Sequence, residues 1–194
     1  MSELKGFNYF LNKNRNFTDK NVYHDYGFIY EILLAPYEQK VVNFMEIGIY
    51  SGGSTKTFES FFHPESKIVA IDNDISNIKL GFNPNTKIIQ ANAFEPEFVK
   101  NVIQEHGLFD IILDDSLHSY ESHEFILNNY ISALKPFGLL IMEDVTYDED
   151  RLKRLCKEYK CFYIDNRYQL NYERSTNQRD YDASFVVVKR NCPN

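Results

Sequence analysis

A chain of 194 residues suits one domain of ordinary size, and 43% hydrophobic against 25% charged content is that of a soluble globular protein. A net charge of −7 without any Lys/Arg run argues against a nucleic-acid surface, which needs a basic footprint. Cys156, Cys161 and Cys192 lack metal-finger spacing, and neither a signal-peptide core nor an apolar run of membrane-spanning length is visible. Reduced thiols, a cytoplasmic location and no membrane span are therefore expected.

In chain order, residues 1–20 form a polar arm, irregular or partly helical, that carries Phe7, Tyr9, Phe10 and Phe17. Ile29, Ile32, Leu33 and Tyr37 recur at roughly helical spacing and predict a helix over 26–37. The apolar run 42–47 predicts a first strand, and 52–62 the helix behind it. Strands are then predicted at 67–71, 87–90, 109–113 and 139–142, with helices at 95–106, 119–134 and 148–159 and a short helix or turn at 75–80. Pro136 and Gly138 are read as the stop after the helix over 119–134. Residues 161–165 and 184–189 read as two closing strands, joined by a long polar connection over 166–182.

Alternating strands and helices imply an α/β fold, with a mainly parallel sheet covered on both faces. Strands one, two, four and five all end in carboxylates: Glu46, Asp72, Asp114-Asp115 and Glu143-Asp144. In a parallel sheet these ends share one edge, where a ligand crevice forms. Each acid alone could cap a helix or sit in a solvated turn. Their convergence is the chief observation.

The glycine spacing Glu46-x-Gly48-x-x-x-Gly52-Gly53 is neither the G-x-G-x-x-G of dinucleotide binders nor a phosphate loop. It suits a ligand without phosphate. Asp72 is placed to accept hydrogen bonds from two ribose hydroxyls, and Asn92-Ala93 sit where an adenine would lie. An acid beside the first glycine tolerates a cationic ligand. S-adenosylmethionine has a ribose, no phosphate and a sulfonium charge. The competing reading is that Asp72 or Asp74 caps the next helix.

Asp115, Glu143 and Asp144 on neighbouring loops offer an all-oxygen site for a hard divalent cation, Mg²⁺ in the first instance. His118, three residues past Asp115, is suited to take a proton near neutral pH from a substrate bound to that metal. The plainer reading makes His118 a residue at a helix start, hydrogen-bonded to the neighbouring acid.

Three motifs carry a resemblance: Phe44-Met45-Glu46-Ile47-Gly48-Ile49-Tyr50-Ser51-Gly52-Gly53-Ser54, Asp114-Asp115-Ser116-Leu117-His118 and Leu139-Leu140-Ile141-Met142-Glu143-Asp144. With Thr18-Asp19-Lys20, His24-Asp25-Tyr26 and Tyr30 upstream, the chain resembles class I S-adenosylmethionine-dependent methyltransferases. Within that class it resembles the macrocin O-methyltransferase-like, metal-dependent sugar O-methyltransferases. The resemblance implies a Rossmann-like methyltransferase fold with seven strands in the order 3-2-1-4-5-7-6, strand seven antiparallel. It also implies a single domain over 1–194, in which an arm (1–40) closes over the cofactor and a core (41–194) holds it.

The resemblance further implies cofactor contacts at Thr18, Lys20, Tyr26, Glu46, Gly48, Ser51, Ser54, Asp72, Asn92, Ala93 and Asp114. Metal binding falls to Asp115, Glu143 and Asp144, and catalysis to His118 as general base with Asp115. Two departures stand in the second motif, where Ser116 replaces the family's glycine and Leu117 a serine. Large antibiotic-tailoring members carry an N-terminal domain not present in these residues, which moves the expected acceptor toward a sugar on a glycan rather than a macrolide; the expected partner is a glycan or glycosylated small molecule. A catechol-like hydroxyl, or a cofactor-binding module without catalysis, are the alternatives, and a homo-oligomer is left open. The acceptor pocket is expected from the arm and residues 166–179, with Tyr168, Tyr172 and Arg174 as candidates.

Overall fold

The computed structural model describes residues 4–21, 24, 26–145, 149–159, 161–164 and 185–189. The five strands β1 (Asn43–Ile47), β2 (Lys67–Asp72), β3 (Thr86–Gln90), β4 (Phe109–Asp114) and β5 (Leu134–Met142) pair in parallel. Two further strands, β6 (Cys161–Ile164) and β7 (Phe185–Lys189), join antiparallel beyond β5, giving the order β3-β2-β1-β4-β5-β7-β6. The expected α/β class, with its parallel sheet, is the one found.

Side chains alternate across the strands, so each strand feeds two cores. Met45, Ile47, Val69, Ile71 and Ile112 pack with Val99 and Val102 of α4 (Pro96–His106), and with Ile126, Leu127 and Tyr130 of α5 (Tyr120–Tyr130). Leu155 of α6 (Glu149–Tyr159) closes that side. Phe44, Ile68, Ile111, Leu113 and Ile141 face the other way, against α1 (Phe7–Lys13), α2 (Gly27–Leu34) and α3 (Gly53–Phe61). There Phe7 packs at tilted and edge-on angles among Tyr30, Phe58 and Phe61 with ring centroids 4.9 to 5.3 Å apart. The arm is thus rooted in a core of its own.

The structure decides between open readings in the arm and at 75–80, and departs from the sequence expectation around the fifth helix and β5. The arm holds a true helix, α1, because Phe7 and Leu11, one turn apart, bury one stripe of it. Residues 75–80 form a turn and no helix, so neither Asp72 nor Asp74 caps one. The fifth helix stops at Tyr130, followed by a short 3-10 turn over Ile131–Ala133. Pro136 and Gly138 then lie inside β5, where the register against β4 slips between Phe109 and Ile111. That irregularity takes up a residue without an N–H, and Phe137 within it has φ +64°. Among the described residues no helix is long and apolar enough to cross a membrane. The connection 166–182, with Tyr168, Tyr172 and Arg174, lies outside the described residues.

Candidate functional site

The carboxyl edge of the sheet is built by close backbone approach. Gly48 leaves β1 with φ +84°, and a Cβ there would lie 2.0 Å from the Asp115 carbonyl oxygen. Only glycine lets the β1 and β4 loops touch in this way. Asp72 fixes the same loop from the other side: its Oδ2 accepts the Ile49 and Tyr50 N–H groups at 2.8 and 2.9 Å. The arm lies across the start of α3, where the Ser51 hydroxyl donates to the Phe17 carbonyl at 2.6 Å. A Cβ on Gly53 would meet that carbonyl oxygen at 2.0 Å. Tyr50, His118 and Asp144, one in the loop after each of β1, β4 and β5, have φ of +43°, +53° and +52°. Left-handed conformations of non-glycine residues gather at functional loops, and here three share one edge.

These segments enclose a cavity of about 1050 Å³ with three walls. One is the β2 and β3 edge with Asp72, Asn92, Ala93 and Phe94; the second is the β4 loop from Asp115 to His118. The third is the arm from Arg15 to Asp19 lying over the glycine loop, where Gly48, Ser51 and Ser54 line the floor. Of the residues expected to touch the cofactor, Thr18, Gly48, Ser51, Ser54, Asp72, Asn92 and Ala93 line this cavity. Lys20, Tyr26, Glu46 and Asp114 do not: all four are buried behind the wall. Glu46 accepts from the Ser54 and Thr55 hydroxyls, so it braces the start of α3 and leaves the ligand space to the glycines. Asp114 accepts from the Ser116 hydroxyl at 2.5 Å, holding the β4 loop in shape.

At the inner end, Asp115, His118 and Asp144 each offer a ligand atom, all within 4.8 Å of one another. His118 Nε2 is 3.1 Å from Asp115 Oδ1, and its Nδ1 is 3.5 Å from Asp144 Oδ2. Glu143 is placed differently from the sequence expectation. One of its oxygens accepts from the Tyr30 hydroxyl, and the other lies 2.5 Å from Lys20 Nζ. Lys20 also reaches Asp115 Oδ2 at 2.5 Å, and Tyr26 donates to Asp144. Nothing local in the sequence reveals the Lys20–Glu143 pair, since the partners are 123 residues apart.

The electrostatics of this end are lopsided. Burial and the charge of Asp115 push Glu143 well up, with Lys20 opposing. Burial raises Asp144, although His24 opposes, and burial carries Glu46 and Asp114 up to about 7. Burial lowers His118, but its hydrogen bond to Asp115 and the charges of Asp115 and Asp144 outweigh this, and its pKa is raised. One buried ammonium does not neutralise this many acids.

Both implied groups fit these residues. A divalent cation would find Asp115 Oδ1 and Asp144 Oδ2 convergent in a pocket with surplus negative charge. S-adenosylmethionine would find a floor lined by Gly48, Ser51 and Ser54, Asp72 at one wall and no phosphate loop.

No family model matches the chain. Among curated proteins it is similar to the 8-demethyl-8-(2-methoxy-alpha-L-rhamnosyl)-tetracenomycin-C 3'-O-methyltransferase of Streptomyces olivaceus, 27% identical over 140 residues. That match covers 68% of this chain and 35% of the relative. The mycinamicin VI 2''-O-methyltransferase of Micromonospora griseorubida is 27% identical over 146 residues, covering 68% of this chain and 34% of its own. The chain therefore spans about a third of the length of these curated relatives. Among solved structures, the MycE methyltransferase from the mycinamycin biosynthetic pathway, in complex with Mg and SAH, superposes with a TM-score of 0.73. Identity is 22%, over 98% of this chain and 56% of that one. The fold is that of a methyltransferase. The curated relatives are sugar O-methyltransferases, the group that the sequence motifs resemble.

Proposed function

We propose that this chain methylates a sugar hydroxyl, using S-adenosylmethionine and a divalent cation. The observation that carries this reading is the Asp115–His118–Asp144 cluster, of which Asp115 and His118 line the cavity floored by the glycine loop. When bound, S-adenosylmethionine would supply an electrophilic methyl group, and Asp115 and Asp144 would hold a Mg²⁺ whose chemistry is to make the acceptor hydroxyl more acidic.

An alcohol is a poor nucleophile until its proton has somewhere to go. His118, whose Nε2 lies 3.1 Å from Asp115 Oδ1, is the base beside that carboxylate: it takes the hydroxyl proton as the methyl group leaves sulfur and the new C–O bond forms, with S-adenosylhomocysteine as the leaving group. Asp144 on the other ring nitrogen orients the imidazole. Lys20, Tyr26 and Tyr30 hold Asp115, Asp144 and Glu143 in place from behind, and Asp72 shapes the loop on which the cofactor rests. Residues 1–40 act as the arm over the cofactor and 41–194 as the core, in one domain. The acidic balance leaves nucleic acid out of the partners. A glycan or a glycosylated small molecule supplies the acceptor sugar.

The test is transfer of labelled methyl from S-adenosylmethionine to a panel of glycosides, for the wild type, for His118→Ala and with chelator. A general base contributes about 10²–10⁴-fold, so His118→Ala should lose that much rate while keeping cofactor affinity. Undiminished turnover in both the variant and the chelated enzyme would sink the mechanism.

A further inference from the structure

The reading above leaves the cationic side chains that line the cavity without a role. A sulfonium carries three substituents, and the cavity has three walls. The nucleoside belongs to the wall of Asp72 and Asn92, and the methyl group must point at the wall of Asp115 and His118. The aminoacyl tail is left facing the arm. That tail is a zwitterion, and its carboxylate needs a cation in a cavity otherwise edged by acids.

Among the described residues two Lys/Arg side chains line the cavity, Arg15 and Lys79. Lys79 follows the turn after Asp72–Asp74, at the nucleoside end. Lys20 sits behind the wall, saturated by Asp115 and Glu143. Arg15 is exposed on the arm wall, two residues before the Phe17 carbonyl that meets Ser51, and it makes no ion pair among the described residues. Asp19 lines the same wall. The arm thus presents one cation and one anion to the place where a zwitterion must lie.

We propose that Arg15 binds the α-carboxylate of S-adenosylmethionine, with Asp19 facing the tail's ammonium. The guanidinium fork matches a carboxylate with two parallel N–H donors, which a lysine does not. His24 and Lys20 outweigh burial at Asp19 and hold its carboxyl at about 2, so the anion is present at neutral pH. The inference rests on the cofactor reading of the preceding section.

The experiment is calorimetric binding of S-adenosylhomocysteine and of 5'-methylthioadenosine, which lacks the aminoacyl tail, to the wild type, Arg15→Ala and Arg15→Lys. Arg15→Ala should weaken S-adenosylhomocysteine roughly 10- to 100-fold, the size of a charge-assisted hydrogen bond, and leave methylthioadenosine unchanged. Arg15→Lys should fall between. Equal loss for both ligands, or none for either, overturns the assignment. So does unchanged S-adenosylhomocysteine binding with a raised acceptor KM, which would give Arg15 to the acceptor. If the wild type binds neither ligand, the cofactor reading fails and Arg15's role with it.

Discussion

Lys20 Nζ stands 2.5 Å from Glu143 Oε2, and both side chains are cut off from water. The ammonium comes from the arm and the carboxylate from the end of β5, so one ion pair ties the cover of the site to its floor. Removing one partner of such a buried pair costs roughly 3–5 kcal/mol, because the other is left uncompensated. Lys20→Met should therefore melt well below the wild type. Added Mg²⁺ should recover part of that loss, since it supplies the missing positive charge. A variant that melts like the wild type, or that gains no more from Mg²⁺, would show the pair to be idle.

The placement of Glu143 separates two acids that the sequence treats alike. Both oxygens of Glu143 are engaged by Tyr30 and Lys20, whereas Asp144 turns Oδ2 toward His118 and Asp115. Titrating Mn²⁺ by electron paramagnetic resonance should show Asp144→Asn losing about 100-fold or more in affinity. Glu143→Gln, acting as an outer support, should lose roughly 10-fold. The reverse order would place Glu143 on the metal.

Gly48 is intolerant on two counts. A left-handed conformation costs a residue with a Cβ roughly 1–2 kcal/mol, and overpacking typically adds about 1–3 kcal/mol. With a Cβ lying 2.0 Å from the Asp115 carbonyl, Gly48→Ala should lose roughly 2–5 kcal/mol in urea unfolding. Stability within about 0.5 kcal/mol of wild type would mean that the two loops do not meet as described.

His123 is fully buried at 3.7 Å from Asp114, and burial, then the charge of His118, lowers its pKa to about 3. The unfolded chain protonates this ring near its ordinary value of about 6.5, while the folded one does not. Stability from this group is therefore present above that value and lost as pH falls below it. Glu46 and Asp114, both raised to about 7, work in the opposite sense. The informative quantity is thus the difference between the wild type and His123→Gln. Between pH 6.5 and 5.5 the wild type should lose about 1 kcal/mol more than the variant. Parallel pH profiles would mean that the ring is protonated in the folded state.

The strands were legible because apolar runs such as 67–71 and 109–113 end abruptly in acids, and the glycine loop because its spacing departs from phosphate binders. What misled was local chemistry overruled by tertiary context. Pro136 and Gly138 look like a helix stop and are instead absorbed by a register slip inside β5. Around Phe7 and Leu11, Asn and Lys left the arm readable only as irregular or partly helical, because the buried stripe of its helix is short. At the site, Asp72 and His118 could be placed from motif order, but which acid faces His118 could not. That depends on where Lys20 and Tyr30 point from the far end of the chain. Arg15 carries no motif at all; only the cavity singles it out.

The rooting of Phe7 and Leu11 in the aromatic core has a consequence for traffic through the site. A segment anchored at that depth behaves as masonry and not as a door. Among the described residues, Tyr50 and Leu117 face outward on the cavity lining and flank a mouth that cofactor and acceptor would share. The order in which guests enter and leave becomes a question of queueing at that mouth, and a spent cofactor would bar the way until it departs.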